Sequence, residues 1–116
     1  MKKTVVSTVL ALALLLTVSV NAAGNSLKSV SSPNLTFSGT TAKCSAQIIE
    51  YSKQINVTME LWTGNTLLKT WTETGRDYVE VKGEYSSVEH GKTYTLKVYG
   101  TLGGIAFSAR SRSKTA

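Results

Sequence analysis

The chain has 116 residues, with 13 basic and 7 acidic side chains, one histidine and one cysteine. This length allows one small domain with one hydrophobic core. A formal charge of +6 is too modest for a dedicated nucleic-acid binder, in which basic residues are dense and clustered. A lone cysteine excludes an internal disulfide, and no second His or Cys stands at metal-ligand spacing from His90.

The first residues have the layout of a secretory signal peptide. Lys2 and Lys3 form a basic start, an apolar run follows over residues 5–20, and small side chains precede a cleavage point after Ala22, with Ala23 as the alternative. The alternative of a membrane anchor is disfavoured, because the run falls short of the roughly 20 apolar residues of a spanning helix. We therefore expect residues 1–22 to be removed and the mature chain to be secreted, without stable membrane insertion. The mature chain keeps 11 basic against 7 acidic side chains, a formal charge of +4.

The rest of the chain reads as a flexible leader over residues 23–33, a domain over 34–112 and a tail over 113–116. From Leu35 onward apolar side chains recur with a period of two, which is typical of strands, and a helical period is absent. Seven strands are expected, at residues 35–39, 42–50, 55–62, 67–73, 78–82, 93–100 and 105–112. The pattern predicts an all-β fold: a single two-sheet antiparallel β-sandwich, preceded by a signal-peptide helix.

Alternation and turn signals also predict a register. The Gly-Asn pair at 64–65 suits a two-residue hairpin turn. Counting back from that turn pairs Glu60 with Lys69, an opposite-charge pair that favours this register. A loop is expected at residues 74–77. The last strand should have three inward side chains: Ile105, Phe107 and Ala109.

Tyr94 stands at the start of the penultimate strand, after a loop that ends in "HGK". This placement resembles the tyrosine corner of immunoglobulin-like and fibronectin-type-III-like domains. The resemblance implies that the Tyr94 hydroxyl bonds to the backbone of the preceding loop. Where antibody-type domains have a cysteine two residues later, this chain has Leu96. Cys44 would therefore pack in the core as a small hydrophobic residue, and the fibronectin-like variant is favoured.

The pattern "LTFSGTTAKCSAQI…LWTGNTLLKTWTETG…GKTYTLKVYGTLGGIAFSA" is also similar to small secreted proteins of Gram-positive bacteria whose function is unknown. That resemblance covers nearly all of the mature chain, but it implies no activity.

The residues do not predict an enzyme. Alternation turns Cys44 toward the core, where a thiolate is disfavoured, and no side chain is placed to orient His90 as its base. The seven carboxylates show no paired arrangement for general acid and base catalysis. No cofactor is expected either, because the glycines are spread over turns rather than gathered in a phosphate-binding loop.

The strongest functional candidate is an outward-facing surface of aromatic and basic side chains. Exposed aromatic patches mark contacts with a partner or a glycan. Two alternatives remain open: the lysine stems lie across the rings, or the leader folds over them. The members of this aromatic and basic face are Trp62, Leu67, Lys69, Trp71, Lys97 and Tyr99.

A second candidate is the end of the domain where residues 51–54, 76–77 and 102–104 gather.

These features predict a secreted, non-catalytic β-sandwich that acts as a binding or cell-surface-associated module, with an extracellular protein or glycan as its partner. The alternative is a small secreted effector, such as a bacteriocin-like toxin or an enzyme inhibitor.

Overall fold

The computed structural model describes residues 30–116. The expected signal peptide and the leader up to residue 29 lie outside the described residues. Five strands follow in chain order: β1 (Asn34–Ser38), β2 (Thr41–Thr63), β3 (Thr66–Tyr85), β4 (Thr93–Leu102) and β5 (Ile105–Thr115). They form one antiparallel sheet in the order β1-β2-β4-β5, and β3 pairs with the other edge of β2. The all-β class and the antiparallel pairing are confirmed.

The strand count differs from the expected seven because two strands are unusually long. The expected strands at 42–50 and 55–62 are both parts of β2, and those at 67–73 and 78–82 are both parts of β3. The predicted loop at 74–77 is therefore a bend within β3. The five strands in the described part of the chain thus contain the residues of the seven predicted strands.

The bend lies where β2 and β3 change register between Glu50 and Gln54. Ser52 and Asp77 have φ angles of 67° and 72° there, in the left-handed region. The Asp77 carboxylate accepts a hydrogen bond from the Ser52 N–H at 2.7 Å, and Arg76 donates one to the Ser52 carbonyl at 3.1 Å. These bonds satisfy backbone groups that the interrupted ladder leaves unpaired.

The bend divides the sheet into two parts. We call β1 with residues 41–50 and 77–85 the first half-sheet, and residues 54–63 and 66–76 with β4 and β5 the second half-sheet. In β2 the buried side chains stand at even numbers before the bend and at odd numbers after it, as the alternation predicts: Ala42, Cys44, Ala46, Ile48, Ile55, Val57, Met59 and Leu61.

Both half-sheets contribute to one buried cluster, so the sheet is curled around a single core. The rings of Phe37 on β1 and Tyr94 on β4 pack with their centroids 5.7 Å apart. Arg112 on β5 donates a hydrogen bond to the Pro33 carbonyl, just before β1, at 3.0 Å. These contacts join strands that are not hydrogen-bonded neighbours in the sheet.

The pattern of β5 differs from its prediction. A register shift lies between Val98 and Gly100 of β4, and beyond it Arg110 and Arg112 are the partners of the buried residues Val98 and Leu96. Partners in an antiparallel pair point to the same face, so these cations take core-side positions at the edge of the sheet. Of the three residues expected to point inward, Phe107 is buried. Ile105 is on the core-side face as the partner of Leu102 but is 72% exposed, and Ala109 lies in the register shift and is exposed.

The folded domain also extends past both of its expected limits. Val30 is buried and forms a bridge with Ile48, although residues 23–33 were expected to form a leader. At the other end, β5 continues to Thr115, and Ala116 donates its N–H to the Lys92 carbonyl at 2.9 Å. The expected tail over 113–116 is thus mostly strand.

Candidate functional site

Four side chains form a connected group on the outer face of the second half-sheet. Glu60 and Trp62 project from β2, and Lys97 and Tyr99 project from the neighbouring β4, where Lys97 is the Cα partner of Glu60. The Lys97 ammonium lies 4.6 Å from the centroid of the Trp62 ring, within the range of a cation–π contact. We call Glu60, Trp62, Lys97 and Tyr99 the aromatic cluster.

The Glu60 carboxylate holds both rings of the aromatic cluster. One oxygen accepts a hydrogen bond from Trp62 Nε1 at 2.9 Å, and the other accepts one from the Tyr99 hydroxyl at 2.6 Å. Burial raises the pKa of Tyr99 above its usual range, and the hydrogen bond to Glu60 and the charge of Glu60 raise it further. Tyr99 therefore remains a hydrogen-bond donor well into the alkaline range.

Sequence reasoning missed this role of Glu60, which was expected to be a solvated charge opposite Lys69. The available signal was its spacing from Trp62, because residues two apart in a strand share a face. Lys97 is the Cα partner of Glu60 on β4, so pairing β2 with β4 would also have placed Lys97 beside Glu60 and Trp62.

The structure does not bring Lys69 and Trp71 to this face, so their place in the predicted surface is wrong. The reason is a register shift next to Trp62: Trp62 pairs with Leu67, but Leu61 pairs with Lys69, which leaves Leu68 without a partner. This bulge turns the following residues of β3 to the opposite face.

Trp71 instead packs toward the core. Its Cα partner is the buried Met59, and its indole lies so close to Gly83 that a Cβ on Gly83 would overlap the ring. Lys69 accompanies it, with its ammonium 5.7 Å from the Trp71 ring centroid and hydrogen-bonded to the Glu84 carbonyl at 3.1 Å.

Leu67 remains on the outer face as the partner of Trp62, at the hairpin end, where 45% of its surface is exposed. Four of the six predicted face residues thus share one surface: Trp62, Leu67, Lys97 and Tyr99.

A shallow depression of about 530 Å³ opens beside Tyr99 on the same outer face. It lies where Gly100, the Cα partner of Val57, packs directly against the backbone of β2. We call it the Tyr99 depression. Its lining surface is largely apolar, but six of the eleven lining residues, from three strands, carry a hydroxyl or amide group: Asn56, Thr58, Thr72, Thr74, Tyr99 and Thr101.

The two residues that were assigned structural roles are both buried. The Tyr94 hydroxyl accepts a hydrogen bond from the Glu89 N–H at 2.8 Å, which ties β4 to the loop before it. Cys44 is 3% exposed, and burial raises the pKa of its thiol to about 11. At neutral pH the thiol is thus protonated and a poor nucleophile.

The other sequence candidates are placed as follows. His90 is exposed in the loop between β3 and β4. Within residues 30–116, no group of three His, Cys, Asp or Glu side chains is arranged to hold a metal ion. The segments 51–54, 76–77 and 102–104 do meet at the bend, where the Gly103 N–H bonds the Gln54 carbonyl at 2.8 Å. Over the same described range, no helix is long and apolar enough to cross a membrane.

Comparison with known proteins gives no family for this chain: no protein-family model matches it, and no curated protein is significantly similar to it.

Proposed function

We propose that the mature protein is a secreted, non-catalytic binding module that contacts an extracellular partner, at or near the cell surface, through the aromatic cluster. The observation that carries this proposal is the double hydrogen bond of Glu60. It fixes the rings of Trp62 and Tyr99 on an outward-facing surface before any partner arrives.

Fixed aromatic rings are efficient contact groups. A large side chain that is already held in one orientation loses little conformational entropy when it binds. Tyr99 is 39% exposed, and Leu67 at the hairpin end is 45% exposed, so the apolar surface continues from the ring toward the turn. Lys97 lies over the Trp62 ring and adds one positive charge to the same surface.

The proposal includes a fold class: the two half-sheets are the two layers of a sandwich of the immunoglobulin-like or fibronectin-like type. The hydrogen bond between Tyr94 and the Glu89 backbone supports it, because a tyrosine corner makes this kind of bond. The shared core of the two half-sheets supports it as well.

The test is binding of the purified mature chain to intact cells and isolated cell walls of the organism that secretes it. Trp62→Ala should weaken binding by about tenfold or more, because aromatic anchors contribute about 2 kcal/mol or more to such contacts. Tyr78→Ala is the matched control, since Tyr78 is 48% exposed but lies on the first half-sheet. Circular dichroism confirms that each variant is folded.

Wild-type protein that binds neither cells nor walls would contradict the proposal, and so would equal loss of binding in Trp62→Ala and Tyr78→Ala. If the Lys97 stem only covers the Trp62 ring, Lys97→Ala and Trp62→Ala should both leave binding unchanged, which would also count against it.

A further inference from the structure

We propose that the Tyr99 depression binds a neutral glycan chain. This inference rests on the proposed function and narrows it, because it makes the partner of the module a carbohydrate rather than a protein. Three features of the depression support it: its shape, the chemistry of its lining and its lack of cations.

The shape comes from missing side chains. Gly100 lies against the Asn56 carbonyl, where a Cβ would overlap the oxygen, so this position stays bare. Ala106 on β5 also lines the depression and contributes only a methyl group. The larger side chains of Tyr99 and Thr72 line the same depression as Gly100 and Ala106. An open surface of this kind suits one face of an extended chain better than a compact small molecule, which needs a concave pocket.

The lining combines hydroxyl groups with apolar surface, as a sugar partner requires. Thr58, Thr72 and Thr74 offer hydroxyl groups that both donate and accept hydrogen bonds, and beside them the Asn56 amide donates to the Thr101 hydroxyl at 3.4 Å. A sugar carries the same mixture of donors and acceptors around its ring. It also has an apolar C–H face, for which the Tyr99 ring is a suitable neighbour.

Glu60 holds the Tyr99 ring in position for contact with a sugar. The Tyr99 hydroxyl is committed to the Glu60 carboxylate at 2.6 Å, which restricts rotation of the side chain. A ring held in this way stacks on a sugar with little further loss of freedom. The aromatic cluster and the Tyr99 depression therefore form one continuous site, joined at Tyr99.

The charges favour a neutral ligand. Glu73 is the one charged side chain among the described residues that line the depression, and no Lys or Arg lines it. An anionic polymer would need cations along its path. Lys97, two residues from Tyr99, is placed over Trp62. Arg76, two residues from Thr74, donates to the Ser52 carbonyl at the bend.

The test uses three insoluble neutral polysaccharides as probes: cellulose, chitin and starch granules. The mature chain is mixed with each, and the protein left in solution is measured over a range of polysaccharide concentrations. We expect saturable binding to at least one of them. The variant T72V/T74V should weaken that binding by about tenfold, because valine keeps the size and strand preference of threonine but removes the hydroxyl.

The matched control is Thr70→Val, on the same strand and face but outside the lining of the depression. It should bind as wild type does. Binding to none of the three polysaccharides overturns the inference, and so does an equal effect of T70V and T72V/T74V. Binding to cells that depends on Trp62 but not on Thr72 and Thr74 would leave the proposed function standing and refute the glycan site alone.

Discussion

The contact between Trp71 and Gly83 provides a stringent test of the register of the second half-sheet. A Cβ added at Gly83 would overlap the indole Nε1, Cε2 and Cδ1 atoms of Trp71. Gly83 lies in an ordinary strand conformation, because its φ is outside the left-handed region. The backbone therefore accepts alanine there, and any cost of Gly83→Ala comes from displacing the indole.

We expect Gly83→Ala to lower the free energy of unfolding by about 1–3 kcal/mol, the usual range for overpacking a well-filled site. In a Trp71→Ala background the clash is gone. Alanine is also better than glycine in a strand interior, so the same substitution should then be neutral or stabilising by up to about 1 kcal/mol. The coupling energy between the two sites should thus be at least about 1 kcal/mol.

Urea unfolding of the four proteins, followed by far-UV circular dichroism, measures this coupling without relying on tryptophan fluorescence. If Trp71 pointed outward, as simple alternation predicts, it would be remote from Gly83 and the two effects would add. Additive effects, or a neutral Gly83→Ala in the wild-type background, would refute the bulge at Leu68 as the origin of the Trp71 position.

Three further predictions concern single side chains. Tyr94→Phe should lower the free energy of unfolding by about 1 kcal/mol, because the Glu89 N–H loses its acceptor; an unchanged urea midpoint would contradict this role. The Cys44 thiol has a pKa of about 11 in the folded protein against an ordinary 9.0, so the unfolded chain loses this proton first as the pH rises. Stability should therefore fall between about pH 9 and 11, by up to about 2–3 kcal/mol, and Cys44→Ala should show a smaller decline over that interval. Glu60→Gln should lower the pKa of Tyr99, which the phenolate absorbance of the variant reports; an identical alkaline titration would show that Glu60 does not control this group.

Much of the fold could be predicted because β2 alternates so regularly. The alternation from Ala42 to Ile48 and from Ile55 to Leu61 predicts which face of each segment is buried. The Gly-Asn pair at residues 64–65 correctly predicts the hairpin turn. The sequence does not predict that β2 and β3 each continue through the bend. Residues 51–53 look like a loop, and the hydrogen bonds of Asp77 and Arg76 to Ser52 hold them against β3.

The errors in the candidate site have one physical origin. A bulge adds a residue without changing the local composition, so no sequence pattern shows that Leu68 on β3, or the extra residue between Phe107 and Arg110 on β5, breaks the count. Trp62, Lys97 and Tyr99 lie on β2 and β4, whose mutual register is regular, and they are placed correctly. Trp71 lies beyond the Leu68 bulge and is turned to the other face.

The continuity of β2 and β3 through the bend has a consequence for how the domain comes apart. Each of these strands contributes hydrogen bonds to both half-sheets, so neither half can open without unpairing the end of a strand that the other half still holds. The single core gives neither half a separate interior. The domain should therefore lose its structure in one cooperative event, and amide protons in the two halves should exchange with solvent through the same rare opening.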